Sequence, residues 1–225
     1  MISVNTVFGS LSGNSGLTEE VIYANILEKD FKYEVLSSSV KEETKLGFIP
    51  LIEINNKEIS IFKDKIGILI ARKGSAGYMT LLNNKGNYTI NEDAYIIYLL
   101  DDLIKKEKID ELKFLKWFIS RHQNTVKYFS NNTDNATWNK TTFFKECFIK
   151  LPSKKELETY SSLYDKKSKI INLISEFKNS VQLIANKNIV TISEEIPELK
   201  VDKILSYISR NDILSEEGLY NIKKN

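Results

Sequence analysis

Two cations, a hydroxyl group and an aromatic ring lie close together in the segment RKGSAGY, residues 72–78. Arg72 and Lys73 carry the charge, Ser75 the hydroxyl group and Tyr78 the ring. Arginine and lysine bind phosphates and the edge of guanine, and aromatic rings stack on bases. Two glycines permit a tight turn with positive φ. The segment is therefore a candidate binding tip, although the same pattern also fits a solvated hairpin turn.

Two further polar segments offer related chemistry. The glycine-bearing loop of residues 12–16 contains Ser12, Asn14 and Ser15, and residues 130–142 are rich in asparagine. The second segment is either a plain surface loop or one that offers amides and a ring to base edges, because asparagine pairs well with adenine. Its candidate side chains are Asn135, Trp138, Asn139 and Lys140. Lys140 or Lys145 would hold phosphates.

Catalytic and metal-binding constellations are missing from the sequence. One cysteine, Cys147, and one histidine, His122, leave no Cys/His metal site and no catalytic triad. His122 falls on the apolar stripe of a predicted helix, which favours a satisfied, partly buried histidine. Glu53 and Lys57 only vaguely suggest a nuclease, because no further carboxylates cluster around them. With no nucleotide-binding glycine loop and no methyltransferase motif, we predict no enzyme, cofactor or metal.

Composition limits the remaining classes of protein. The chain has 225 residues, of which 42% are hydrophobic and 28% charged, as in soluble globular proteins. A net charge of only +2 means that a surface for nucleic acid must come from local clustering of cations. No apolar run approaches the roughly 20 residues of a membrane helix, and no leader opens the chain. We therefore expect a cytoplasmic protein.

Strand patterns dominate the first hundred residues. Residues 66–71 and 94–100 form apolar runs typical of buried strands, and residues 46–54 and 58–62 flank an Asn55-Asn56 turn. Together they predict a curled or barrel-like β core. Thr18 and Asp110 are expected to cap helices, the second strongly amphipathic. Residues 143–151 again favour a strand.

From Ser153 the pattern predicts a long helix with two apolar heptad positions. One position holds Tyr160, Lys167, Ile174 and Val181, and the other holds Leu163, Ile170, Phe177 and Ile184. We call these residues the heptad seam. Such a seam favours pairing with a partner helix. Packing of the helix on its own β domain stays open, because Tyr164 and Ile171 widen the apolar stripe.

The end of the sequence repeats its beginning. Residues 205–220, LSYISRNDILSEEGLY, align without a gap to residues 8–23, FGSLSGNSGLTEEVIY. If the repeat is real, the chain is one full unit plus the first element of a second. Either a longer protein stops early, or a half-length protein pairs with a copy of itself.

Four segments, in order, resemble the DNA specificity subunit of type I restriction-modification systems. They are GNSGLTEEVIY, IARKGSAG, YTINEDAYI and NKTTFFKECFIKLPSKKELE. The resemblance implies an α+β fold, with a β-rich target recognition domain followed by a long coiled-coil-forming helix. The implied boundaries are 1–152 for the domain, 153–187 for the spacer helix, and 188–225 for a linker and the start of a second repeat.

The resemblance also implies a function. Such a subunit catalyses no reaction; it recognises half of a split DNA sequence and directs methyltransferase and restriction subunits, the methyltransferase using S-adenosylmethionine. The expected DNA-binding residues are Ser12, Asn14, Ser15, Arg72, Lys73, Ser75, Tyr78, Asn135, Trp138, Asn139 and Lys140. A homodimer is expected through the long helix. The alternatives are the detached recognition domain of a single-chain restriction-methyltransferase and a coiled-coil adaptor with no DNA role.

Overall fold

The computed structural model describes residues 1–26, 33–38, 46–131 and 136–189, with side chains as far as residue 183 in the last helix. The chain divides into two units, Met1–Lys169 and Ile170–Asn225. The strands in the described ranges are β1 (Ile2–Ser3), β2 (Phe8–Ser12), β3 (Tyr33–Leu36), β4 (Phe48–Ile49), β5 (Glu53–Ile54), β6 (Lys57–Glu58), β7 (Ile61–Lys63), β8 (Gly67–Ala71), β9 (Met79–Leu82), β10 (Asn87–Ile90), β11 (Ala94–Leu99) and β12 (Phe148–Ile149). The helices are α1 (Glu19–Asn25), α2 (Asp101–Glu107), α3 (Glu111–Tyr128), α4 (Lys140–Glu146) and α5 (Lys154–Ile189). The predicted α+β class, with a long helix after the β-rich part, is confirmed.

The first sheet has four antiparallel strands in the order β2-β11-β8-β9. Every residue of β8 is buried, as the apolar run predicted. Three residue pairs mark one end of this sheet: Tyr95 with Ser12, Ala94 with Ala71, and Ile70 with Met79. The loops that leave these strands therefore emerge side by side.

The second sheet has the order β4-β3-β10-β7, and β3 runs parallel to β10. The pair β5–β6 lies apart from both sheets and turns at Asn55 and Asn56, whose φ angles are 52° and 60°. Left-handed backbone at both positions fits a two-residue hairpin turn, as predicted. The prediction of long strands at 46–54 and 58–62 is wrong, because each is broken in two, the first around Pro50. In the described residues, two open sheets replace the expected barrel-like core.

Helix α3 packs its apolar face against the first sheet. Asp110 accepts a hydrogen bond from the backbone N of Lys113 at 3.1 Å, which confirms the predicted cap. The buried residues of the helix are Phe114, Leu115, Trp117, Phe118, Ile119 and Val126. They share one core cluster with Phe8, Ile68 and Ile70 of the sheet. This cluster fixes the helix against the strands whose loops meet at one end.

His122 lies on α3 with its ring centroid 5.1 Å from those of both Trp117 and Phe118. Burial, with a smaller contribution from the charge of Arg121, lowers its pKa to about 4. The imidazole is therefore neutral at pH 7. Its partial burial is as predicted, but its Nε2 has no hydrogen-bond partner within the described part of the chain, so the expected satisfied histidine is wrong.

Two helices after residue 100, α2 and α4, differ from the elements that the sequence predicted. The prediction of a strand over residues 143–151 is wrong for most of that range, because residues 143–146 belong to helix α4 and only Phe148–Ile149 form the short strand β12. Asn139 begins α4, since its side chain accepts from the backbone N of Thr142 at 3.0 Å. Phe143 then faces the core, so aromatic residues that resemble a strand are accommodated on a short helix. Helix α2 was not predicted.

Helix α5 begins with a reciprocal cap, as Ser153 and Glu156 each bond to the other's backbone N. Within the first unit, it packs Leu157, Tyr160 and Tyr164 against the core. Tyr160 of the heptad seam thus contacts its own domain. Of the remaining described seam residues, Leu163, Ile170, Ile174 and Phe177 are 54%, 45%, 36% and 60% exposed, Lys167 is exposed, and Val181 is half-buried.

Two other predictions concern residues that the structure does not describe. The side chain of Ile184 and the whole repeat at residues 205–220 lie outside the described residues. None of the described helices is long and apolar enough to cross a membrane.

Candidate nucleic-acid interface

The segment of residues 72–78, here called the basic hairpin, joins β8 to β9 at the end of the first sheet. Gly74 and Gly77 adopt φ angles of 68° and 76°, as the turn prediction requires. The backbone N of Gly77 donates to the carbonyl O of Ala71 at 2.8 Å. A Cβ on Gly77 would lie 2.8 Å from Cα of Lys127, so this glycine permits close contact with α3.

Gln123 fastens the basic hairpin to helix α3. Its Nε2 donates to the carbonyl O of Gly77 at 2.9 Å, and its Oε1 accepts from the backbone N of Met79 at 3.0 Å. One amide thus satisfies two backbone groups where the hairpin ends. The sequence gives no signal for this interaction, because its partners are more than 40 residues away.

The two cations of the basic hairpin are held by the residues that precede β11. Arg72 donates from Nη1 to the carbonyl O of Glu92 at 3.0 Å. Lys73 Nζ lies 2.7 Å from Oε1 of Glu92 and 2.9 Å from Oδ1 of Asp93. These hydrogen bonds, that to Glu92 first, raise the pKa of Lys73. Glu92 and Asp93 were not predicted as site residues, although they lie within the quoted segment YTINEDAYI.

The polar loop of residues 12–16 is fixed by Asn14. Its Nδ2 donates to Thr89 Oγ1 at 2.9 Å and to the carbonyl O of Ile90 at 2.8 Å, while its Oδ1 accepts from the backbone N of Ser60 at 2.7 Å. The side chain of Asn14 is therefore used within the protein. Ser12 and Ser15, on either side, are exposed.

Residues 138–140 reach the same end of the sheet. Lys140 Nζ donates to Ser12 Oγ at 2.5 Å and lies 5.3 Å from the centre of the Tyr95 ring. Burial lowers the pKa of Lys140. The backbone N of Trp138 donates to the carbonyl O of Arg72 at 2.8 Å, which joins this segment to the basic hairpin. Asn139 is exposed, and Asn135 lies outside the described residues.

Trp138 itself is a core residue. Its side chain is 1% exposed, and its indole N donates to the carbonyl O of Val126 at 3.0 Å. The ring lies 5.1 Å from Phe143 and 5.5 Å from Tyr95, measured between centroids. A ring in this position is not available to a surface ligand, so the expected contact with DNA does not fit its burial.

Tyr78 presents an exposed ring at this end of the sheet. Its side chain is 48% exposed, and Lys127 Nζ lies 5.9 Å from the ring centre. Ser75 is also exposed at the tip of the basic hairpin. Lys127 was missed, because helical periodicity places it on α3 but does not show that α3 approaches the hairpin. Ring, hydroxyl and cation together suit contact with a polyanion.

Within the described ranges, no three His, Cys, Asp or Glu side chains lie close enough to hold a metal ion. Cys147 is buried, and burial raises its pKa to about 11, so its thiol stays protonated at pH 7.

We define the loop face as the end of the first sheet that carries loop 12–16, the basic hairpin and residues 138–140. Of the predicted DNA-binding residues that the structure describes, all belong to these segments. These segments belong to an α+β domain that presents several short loops in one direction. The long helix α5 follows this domain in the sequence.

Two solved structures are similar to this chain. The S subunit of the type I restriction-modification system from M. genitalium is 19% identical, with a TM-score of 0.50, over 80% of this chain and 42% of that one. The HsdS subunit from Thermoanaerobacter tengcongensis is 10% identical, with a TM-score of 0.49, over 78% of this chain and 38% of that one. The chain thus spans less than half the length of either.

The resemblance to type I specificity subunits is confirmed as a likeness of fold. No family model and no curated protein matches the sequence.

Proposed function

We propose that this chain is a sequence-specific DNA recognition subunit. It binds half of a bipartite target through the loop face and directs partner adenine methyltransferase and restriction subunits to that site. The observation that carries this proposal is the register of the first sheet, which gathers separately predicted segments at one end. The fold likeness to the M. genitalium S subunit supports it.

The loop face offers groups suited to each kind of interaction with DNA. Arg72 is half-buried and directed by a backbone carbonyl, which suits bidentate pairing with guanine. Lys127, Lys140 and the exposed hydroxyl groups of Ser12, Ser15 and Ser75 suit phosphates, and the exposed ring of Tyr78 suits stacking. The side chains of Asn14 and Trp138 form hydrogen bonds within the protein and hold the loops, so neither is proposed to contact DNA directly.

Removing the charge of the basic hairpin is the direct test. Arg72→Ala combined with Lys73→Ala is expected to weaken binding to the preferred duplex about 10- to 100-fold. The slope of log affinity against log salt should fall by about 0.9 for each phosphate that the variant no longer neutralises. Fluorescence anisotropy with a duplex selected from a random pool, at four salt concentrations, measures both.

A matched control removes two cations elsewhere. Lys105 and Lys106 are exposed on α2, which follows β11 at the opposite end of the first sheet. Lys105→Ala combined with Lys106→Ala makes the same change in net charge and should have a much smaller effect. Equal reductions in affinity for the two double variants would show that only overall charge matters, and would reject the loop face as the DNA-binding surface.

We also propose that two copies of the chain pair through α5. Four apolar residues of the described part of the heptad seam are at least a third exposed, and Phe177 and Leu163 are more than half exposed. Apolar side chains repeated at heptad spacing and left exposed are typical of a helix that binds another helix. The proposed domain boundaries remain 1–152, 153–187 and 188–225.

Charge placed in the seam is expected to break this pairing. Phe177→Glu should weaken the dimer about tenfold or more, because a carboxylate would be buried between helices. Sedimentation equilibrium measures the change. Asn179→Glu adds the same charge at an exposed position two residues away, outside the seam, and should leave the dimer intact. A monomer at all concentrations for the unmodified chain would reject pairing through α5.

In this proposal the chain performs no reaction and acts in the cytoplasm, and S-adenosylmethionine is used by the partner methyltransferase. A methyltransferase gene beside this one would support it, whereas a methyltransferase domain fused upstream would favour the detached recognition domain of a single-chain enzyme. Tight dimers that do not bind DNA, even with a methyltransferase subunit present, would favour a coiled-coil adaptor.

A further inference from the structure

We infer that the tip of the β5–β6 hairpin, Asn55 and Asn56, is a second base-reading element beside the loop face. This inference rests on the proposed function and names residues that carry part of the sequence specificity. Neither asparagine belongs to the predicted DNA-binding set.

The hairpin is fastened next to loop 12–16. A cleft of about 320 Å³ lies between them and is lined by Ser12, Ser15, Asn55 and Lys57 among others. Next to the turn, a Cβ placed on Gly16 would lie 3.0 Å from Cγ2 of Ile54. The tip is therefore carried by the same rigid framework that positions loop 12–16.

The hydrogen bond from the backbone N of Ser60 to Asn14 Oδ1, 2.7 Å long, ties the following chain to that loop. This bond holds the segment after β6 against Asn14, the residue that fixes loop 12–16. A duplex that contacts Ser12 and Ser15 would thus bring its bases close to the hairpin tip.

The backbone of the tip favours glycine, yet the sequence has asparagine twice. Both residues have positive φ, 52° and 60°, where glycine is the least strained choice, especially at the second position of such a turn. Both side chains are exposed, and neither makes a hydrogen bond within the described residues. Free amides at a hairpin tip can pair bidentately with N6 and N7 of adenine in the major groove.

Lys57 supplies a cation directly beside the tip. Lys57 is exposed, lies opposite Ile54 in the hairpin, and forms no ion pair with any described residue. Glu53 and Glu58 are paired across the two strands, and Glu58 lines the same cleft as Lys57. Phosphates are attracted to Lys57 and repelled by the acidic pair, which lies one residue further from the turn on each strand, so they would meet Lys57 while the tip enters the groove.

Glycine substitutions separate base reading from folding. Asn55→Gly and Asn56→Gly, alone and together, suit the left-handed backbone, so the melting temperature should be unchanged or raised. Duplexes selected from a random pool by the unmodified full chain are then varied one base pair at a time. The preference at one or two base pairs should fall about 5- to 150-fold, the range of one bidentate pairing, and all other positions should keep theirs.

Two further variants complete the experiment. Asp64 also has a positive φ, 56°, but precedes β8 at the opposite end of the first sheet, so Asp64→Gly should leave every base preference unchanged. Asn56→Asp keeps the size and the turn preference of asparagine. Its carboxylate can accept from adenine N6 but cannot donate to N7, so it should lose the same preference as Asn56→Gly.

The outcomes distinguish this inference from the function on which it rests. If the unmodified chain prefers a sequence, and the asparagine variants keep every base preference, the hairpin tip does not read bases and the inference is overturned while the proposed function stands. If the unmodified chain shows no preference for any duplex, the proposed function itself fails. A reduced preference confined to one or two base pairs supports both.

Discussion

Replacing Trp138 with alanine is expected to lower the free energy of unfolding by about 3–5 kcal/mol, the usual cost of truncating a buried tryptophan. The side chain is 1% exposed and packs between Tyr95 and Phe143. Truncation leaves a cavity and also removes the donor to the carbonyl O of Val126. Chemical denaturation followed by circular dichroism measures the decrease.

Trp138→Phe is the matched control, since it keeps an aromatic ring in the cavity and removes only the indole N–H and part of the volume. It should cost about 1–2 kcal/mol, near the value of one buried hydrogen bond with a small packing defect. Folded Trp138→Phe protein should bind DNA as the unmodified chain does. If Trp138→Ala instead kept the original stability and lost DNA affinity, the ring would belong to the interface.

Trp138 also shows where sequence patterns stop being informative. It lies in a polar, asparagine-rich segment, so composition indicates solvent, whereas the segment folds back and inserts one ring into the core. Burial of a single aromatic residue in a loop depends on which distant chain segments meet there. A backbone hydrogen bond joins Trp138 to Arg72, 66 positions earlier, and no local pattern predicts that bond.

Structural features that depend on nearby residues, by contrast, were predicted well. The capping side chains of Thr18 and Asp110 accept the expected backbone hydrogen bonds, and the apolar run before Arg72 is a fully buried strand. These features depend on residues three or four positions apart or on simple burial. The strand predicted over residues 143–151 failed because aromatic residues favour strands unless a cap such as Asn139 starts a helix.

In the candidate site, too, local patterns could be predicted and contacts between distant residues could not. The sequence could nominate cations and amides in loops, and the antiparallel register then brings those loops together. It could not show that Glu92 and Asp93 hold Lys73 or that Gln123 clamps the basic hairpin. Each of those interactions joins residues 19 or more positions apart, so it exists only once the fold has formed.

Asn14→Ala is expected to lower the free energy of unfolding by about 2–4 kcal/mol, because three side-chain hydrogen bonds are removed and their partners stay partly buried. Those bonds tie loop 12–16 to β10 and to Ser60. DNA affinity should fall as well, although Asn14 itself is not expected to touch DNA, because Ser12 and Ser15 lose their fixed positions. Denaturation and anisotropy measurements on the same preparation compare the two effects.

Asn14→Asp tests the acceptor role of the amide oxygen separately from the donor role of the amide nitrogen. The aspartate keeps an acceptor for the backbone N of Ser60 but places a second oxygen where Nδ2 donates to the carbonyl O of Ile90, 2.8 Å away. Two acceptors at that distance repel, so this nearly isosteric change should cost at least as much as alanine. A stable Asn14→Asp protein would mean that the bond to Ser60 alone holds the loop, and the donor interactions with Thr89 and Ile90 would then have no structural role.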